Sequence, residues 1–312
     1  MKEPVLGSAR VLLEACPPAL DDREKAYAVL KQSFSCYNSF HVVSVPDIQD
    51  NVEFERSRQR VPNDEFAAWV GGLTEKPLSL YKVCASSTAP EFGAWLDQAA
   101  ALGCGHIFLV GPDSSAKRYK PGALSVAESA AIASQRGFLC GGIIIPTRRK
   151  QFAARPASFD ETDRLLVKVR EQGLRFFTTQ ILYEGEWMSC LLLDLVRRMS
   201  AEELPKVFIT LSPFVCAEDI NFAARNLGVY VPKDVDRMLR GARSMREASI
   251  SSLLLVWERI SNFAGEIGYP KERLGVNVEY LDSRNPRNVD AAFELAEEFG
   301  RILRPRAARP TS

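Results

Sequence analysis

The residue best placed for chemistry in this chain is a carboxylate at the end of a buried strand. Residues 11–18 read VLLEACPP: a short apolar run, then Glu14, a small residue, a cysteine and two prolines. Leu12 and Leu13 suit a buried strand. Pro17 and Pro18 have no N–H for a sheet ladder, so the strand stops there and Glu14 stands near its C-terminal end. A desolvated carboxylic acid in that position can give or take a proton near neutral pH. An outward-facing ion pair is the competing assignment. The chain has only two histidines, His41 and His106, so a histidine zinc site or a Ser-His-Asp triad is poorly supplied. Proton chemistry therefore falls to carboxylates.

Other polar residues follow apolar runs in the same way: Asp47 and Gln49, Lys82 and Ser86, Asp113, Thr147 and Arg148, Gln180 and Tyr183, Ser212 and Phe214, Asn277 and Glu279. The set is polar and acidic with aromatic members. It suits an organic substrate with amide-like hydrogen-bonding edges, and by itself it fixes no reaction.

These positions need a frame that brings them together. Apolar runs at 40–45, 78–84, 105–110, 137–145, 175–180, 207–211 and 275–279 are predicted strands, in addition to the first. Helices are expected between them. Thr88 to Glu91, Ser125 to Glu128 and Ser158 to Glu161 have capping-box spacing, and Asn285-Pro286 opens the last helix. The stripe Ile250, Leu253, Leu254, Trp257, Ile260, Ala264 and Ile267 has helical spacing and reads as core packing. Most strands begin roughly 27 to 39 residues after the previous one, the length of a βαβ repeat. The runs are continuously apolar, as in a parallel sheet covered on both faces. Eight such units predict an α/β fold: a single-domain (β/α)8 TIM barrel over 1–312, with a loose tail at 304–312. An open doubly wound sheet is the runner-up, but no GxGxxG turn follows any strand. In a TIM barrel the C-terminal strand ends share one face, where chemistry sits.

Bulk properties exclude other classes. A hydrophobic share of 46% and a charged share of 25% predict a folded, soluble chain. A net charge of +1 argues against a nucleic-acid or polybasic membrane surface. No apolar run approaches the length of a membrane span, and MKEPVLGSAR has no signal-peptide core. The seven cysteines stand singly without CxxC, which fits buried free thiols in a reducing cytoplasm. No metal site is expected.

Seven segments, in order along the chain, resemble the methylenetetrahydrofolate reductase family. LLEACPP is similar to that family's FEFFPP, HVVSVP to FVSVT, YKVCASSTAPEF to HLTCIDATPDEL, and HIFLVGPD to HIVALRGD. The segment from Lys168 through Gly173 to Thr179-Gln180 follows K-x-x-x-GA-x-x-x-ITQ, with Tyr183-Glu184 where FFD follows. NLGVYVPKDVDRML resembles a stretch with VRIPAWMAQMF, and LGVNVEY the last strand. The resemblance implies a folate-binding barrel that reduces 5,10-methylene-tetrahydrofolate to 5-methyl-tetrahydrofolate with hydride from NAD(P)H. Glu14 falls on the family's general acid, which helps open the imidazolidine ring to an iminium. Gln180 falls on the Gln that hydrogen-bonds the pterin, and an amide suits a pterin edge because it both donates and accepts. Asp113 aligns with the acidic residue near the flavin, though the Arg before it is missing. Gln49, Tyr183, Phe214 and Glu279 are further substrate-binding candidates from the strand ends.

The departures concern the flavin. The family usually carries FAD. Its flavin-contacting Thr is Pro46 here, its His is Tyr81, and its phosphate-facing Lys falls on Val169, next to Lys168. Pro146-Thr-Arg-Arg-Lys150 replaces its HP-E-A-K segment, and that basic run can serve a phosphate or be a solvated loop. Tyr81, Lys82, Arg148 and Lys168 are the remaining cofactor-binding candidates. The chain resembles short members that pass hydride directly from a nicotinamide, which implies a weak or absent FAD site. Non-redox folate-dependent one-carbon transfer and a non-catalytic folate-binding subunit stay open. A homo-oligomer and a partner methyltransferase are the partners this reading implies.

Overall fold

The structure is a computed structural model that describes residues 5–48, 59–111, 121–148 and 161–304. Gln49, Asp113 and the Ser158 cap lie outside the described residues. Eight strands close into a barrel in chain order. They are β1 (Val11–Glu14), β2 (Val42–Val45), β3 (Leu78–Val83), β4 (His106–Val110), β5 (Leu139–Ile144), β6 (Phe176–Thr179), β7 (Lys206–Leu211) and β8 (Leu274–Glu279). All neighbours pair parallel, and β8 closes on β1 with Glu279 opposite Glu14. The expected (β/α)8 barrel is the fold of this chain.

Local chemistry sets the element ends. Thr88 and Ser125 cap their helices reciprocally: their backbone N–H groups donate to Glu91 and Glu128 at 2.9 and 2.8 Å. Asn285 accepts from the Arg287 N–H at 3.1 Å, with Pro286 as the first helical residue. The strand expected from residue 137 begins only at Leu139, because Gly137 turns the chain with φ of +83°. The long helix Met245–Glu266 buries Leu253, Val256, Trp257, Ile260 and Ala264, close to the predicted stripe.

Strand alternation divides each strand between two cores. Val11, Leu13, Val43, Leu80, Ile107, Phe177, Ile209 and Val278 face the helices. Leu12, Val42, Tyr81, Phe108, Phe176 and Phe208 fill the barrel interior with Leu6 and Ala9. Leu6 belongs to a short helix, Val5–Ser8, that lies across the N-terminal end of the barrel. Lys206, the first residue of β7, fastens it by donating from Nζ to the Gly7 carbonyl at 2.6 Å. Gly141 makes room for this interior. A Cβ there would stand 2.2 Å from the Phe176 ring and 2.4 Å from its carbonyl oxygen.

Candidate functional site at the C-terminal mouth

The barrel interior changes character along its axis. Its lower part is the apolar cluster around Phe108, Phe176 and Phe208. Above that, inward positions carry Glu14, Ser44, Tyr81, Thr178, Thr210, Asn277 and Glu279. Glu14, only 9% exposed, is the centre of this polar layer. Its Oε2 accepts from the Asn277 amide at 2.7 Å and from the Tyr81 hydroxyl at 3.1 Å. The Asn277 amide also lies 3.2 Å from the Thr210 hydroxyl, and its carbonyl oxygen accepts from Ser44 at 3.3 Å. The Tyr81 oxygen is 3.1 Å from Thr178 Oγ1 as well. One phenol proton cannot serve both, and the carboxylate is the better acceptor, so Thr178 donates to Tyr81. The competing assignment, an outward ion pair, does not hold: Glu14 points inward and meets neutral donors.

Burial raises the Glu14 carboxyl above the ordinary range, while hydrogen bonds from Asn277, Tyr81 and Glu279 pull it back. Burial and the adjacent Glu14 push Glu279 well up. The Cys16 and Tyr81 side chains are also pushed well up, so both stay neutral beside the carboxyls. A cavity of about 160 Å³ opens over the ends of β1 and β2, between Pro17, Pro46, Asp47 and Arg60. Among the described residues no group of three or more His, Cys, Asp or Glu side chains is placed to hold a metal ion.

The other candidates divide. Gln180 stands at the rim just past β6, half-buried, with its amide donating to the Leu227 carbonyl at 2.5 Å. Glu279 joins Glu14. Tyr81 sits inside the barrel, its ring stacked on Phe108 at 4.4 Å and 15°. Lys82, one residue on, faces the opposite way. Its ammonium pairs with Asp47 at 3.3 Å and lies 5.5 Å from the Trp95 ring, in the helix layer. Arg148 bonds Glu161 at 2.5 Å, and Glu161 also accepts from the Ile145 N–H at 2.9 Å. Lys168 donates to the Ile143 carbonyl, and burial lowers its ammonium to about 8. These three cations are committed to partners within the chain, so the cofactor role expected of them is not one their contacts show. Val169 is buried in the helix-side core.

Tyr183 and Phe214 need a correction as substrate contacts. They are 1% and 0% exposed and stack on each other at 4.4 Å. The Tyr183 hydroxyl lies 2.6 Å from the Ser212 carbonyl and 2.8 Å from Ser249 Oγ, so it is spent inside the fold. Asn277, one of the strand-end polar residues, had been given no role, and Thr178 and Thr210 were missed; together they hold the acid and its partners. The signal for Asn277 was an amide inside the apolar run LGVNVE, which must find buried partners.

No family model matches the sequence, and no match is found among curated proteins. In structure the chain is similar to a Clostridium thermocellum protein that binds two copies of 5-methyl-5,6,7,8-tetrahydrofolic acid. The two are 19% identical over 97% of this chain and 99% of that one, with a TM-score of 0.77. A dihydropteroate synthase from Xanthomonas albilineans, in complex with 7,8-dihydropteroate, aligns at 15% identity over 96% of this chain and 95% of that one. Its TM-score is 0.46. What the first likeness establishes for this chain is its fold, a (β/α)8 barrel over nearly its whole length.

Proposed function

We propose that the mouth of this barrel binds a reduced folate and interconverts 5,10-methylene-tetrahydrofolate and 5-methyl-tetrahydrofolate. The observation that carries this reading is the Glu14 carboxyl, buried, pointing into the barrel mouth and held by Tyr81 and Asn277. The ligand of the Clostridium thermocellum protein, a 5-methyl folate, supports the substrate class. So do the seven segments that resemble the reductases.

The chemistry requires an acid. A proton from Glu14 passes to N10 of the folate, and the bond from N10 to the bridging methylene breaks with its electron pair left on N10. The methylene then stands as a cationic iminium on N5. A reduced nicotinamide supplies hydride to that carbon when bound, which leaves a methyl group on N5. Tyr81 and Asn277 fix the direction of the acid. Gln180, at the rim, reaches the pterin edge only by giving up its present bond to the Leu227 carbonyl.

The side chains do not fit a flavin in the family's manner. Pro46 has no hydroxyl, Val169 is in the core, and Lys82, Arg148 and Lys168 are held by Asp47, Glu161 and the Ile143 carbonyl.

The test is to incubate the protein with 5,10-methylene-tetrahydrofolate and NADH or NADPH, with and without added FAD, and to measure 5-methyl-tetrahydrofolate. Product with a nicotinamide alone is expected. A second reading, non-redox one-carbon transfer or folate binding alone, is favoured by the neighbour's ligand being the already reduced 5-methyl form. Tight folate binding without product under any of these conditions would select it.

A further inference from the structure

Glu14 is surrounded by donors. The Asn277 amide and the Tyr81 hydroxyl both give hydrogen bonds to Oε2. Glu279 stands directly opposite Glu14 in the β1–β8 register, and both side chains point into the barrel. With two donors already on one oxygen, Glu14 is arranged as a carboxylate, yet the reaction asks it for a proton. Two neighbouring carboxyl groups in a poorly solvated site do not both ionise. The pair therefore holds one proton, and the donors on Glu14 leave it to Glu279.

We propose that Glu279 stores the proton that Glu14 delivers, so the acid of this barrel is a carboxyl pair and not a single residue. This rests on the folate reading for its substrate, but not for the placement of the proton. In the resting site the pair carries one negative charge. As the substrate nitrogen approaches, the O–H bond on Glu279 breaks and an O–H bond forms on Glu14. That proton passes to the nitrogen as its bond to the methylene breaks. The pair then holds two negative charges facing one positive iminium, and hydride addition removes the positive charge. Solvent reprotonates the pair after product leaves. Glu279 is a positioning residue that acts through Glu14.

The surroundings suit this task. From the segment after β1 comes the Cys16 thiol, and from the end of β8 Tyr280. They bond to each other: Cys16 Sγ to the Tyr280 carbonyl at 3.8 Å, and the Tyr280 hydroxyl to the Cys16 carbonyl at 3.3 Å. From β3 comes Tyr81, and from β6 and β7 the hydroxyls of Thr178 and Thr210. All of these are neutral. Arg60, a cation that acts on Cys16, donates to the Pro17 carbonyl at 2.8 Å. Among the described residues no lysine, arginine or histidine pairs with either carboxyl. Nothing there stabilises a second negative charge until the iminium forms beside it.

The decisive measurement is the infrared band of a protonated carboxyl, recorded at neutral pH on protein labelled with carboxyl-13C glutamate. The wild type is expected to show it. Glu279→Gln is expected to lose it, because the new amide donates to Glu14 and leaves it ionised. Glu14→Gln is expected to keep it, because Glu279, half-buried with no cation paired to it among the described residues, remains protonated. A band that survives in Glu279→Gln, or disappears in Glu14→Gln, overturns the proposal. The Glu14→Gln arm decides alone if the other variant does not fold. Neither arm needs turnover, so a failed reductase assay leaves the result intact. Where turnover is measurable, Glu279→Gln should bind folate as before but lose at least about tenfold more activity at pH 8 than at pH 6, the size of one pKa unit. An equal loss at both pH values would mean a merely structural role.

Discussion

Tyr81 and Glu14 meet across the barrel. The phenol leaves β3, stacks on Phe108, and brings its oxygen to 3.1 Å from a carboxylate oxygen on β1. The aromatic ring thus belongs to the apolar floor and the hydroxyl to the polar layer above it. Tyr81→Phe keeps the packing and removes one donor. A hydrogen bond of this kind contributes about 0.5–1.5 kcal/mol, so denaturant titration should show a loss of that size. The acid should also become weaker, because a bond that favoured its ionised form is gone. A variant as stable as the wild type, with an unchanged pH profile, would remove the bond from the account.

Glu14→Gln is expected to lower turnover by about 10²–10⁴-fold, the range of a positioned general acid. Folate affinity should change much less. Initial rates and calorimetric titration separate the two, and turnover within a few-fold of wild type would exclude Glu14 as the acid.

The raised carboxyl of Glu279 makes stability depend on pH with a defined sign. Its folded-state value lies above its unfolded one, so between the two values the folded chain binds more protons than the unfolded chain. Stability from this group is greatest below about 4.5, the ordinary glutamate range, and declines as pH rises toward the folded value. Glu279→Gln lacks that decline. Urea unfolding at pH 4.5 and 7.5 should therefore show the variant gaining on the wild type as pH rises. A constant difference would mean that Glu279 titrates normally.

Gly141→Ala tests the barrel floor. The added carbon meets the Phe176 carbonyl as well as its ring, so a change of rotamer cannot relieve it. Overpacking of this kind costs about 1–3 kcal/mol. The midpoint of chemical denaturation should fall with little change in slope, and an unaltered midpoint would show that β5 and β6 can separate freely.

The protein is expected to purify colourless and to show no saturable FAD binding in the low micromolar range. Each missing polar contact is worth about 1–3 kcal/mol, and several are missing together. Stoichiometric FAD in the purified protein would mean that Lys82, Arg148 or Lys168 exchanges its present partner for a phosphate.

What was legible in the sequence depended on how local the cause was. The barrel could be read from spacing and capping residues, because each βα unit carries its own signals. Glu14 could be read because two prolines end its strand. The direction of Tyr81 and Lys82 could not. A barrel strand is buried on both faces, so LSLYKV shows no alternation between apolar and polar residues to mark the inside. Tyr183 misled for a different reason. Its partners, Ser212 and Ser249, lie 29 and 66 residues away, and only the closed fold brings their oxygens to its hydroxyl. Arg148 is a parallel case: its partner Glu161 stands 13 residues on, and only the fold brings that carboxylate to its guanidinium.

The short helix fastened under the barrel by Lys206 has a consequence for traffic. With Leu6 and Ala9 seated against the lower core, that end offers no passage to a molecule the size of a folate. The substrates proposed above therefore enter and leave at the other end, the mouth that holds Glu14. An enzyme with a resident electron carrier can use a single door in turns, loading the carrier, emptying, and then admitting the second reactant. In the reaction proposed above, without such a carrier, both reactants stand in the doorway together. The rate law should therefore show intersecting rather than parallel lines, and excess folate should obstruct the nicotinamide.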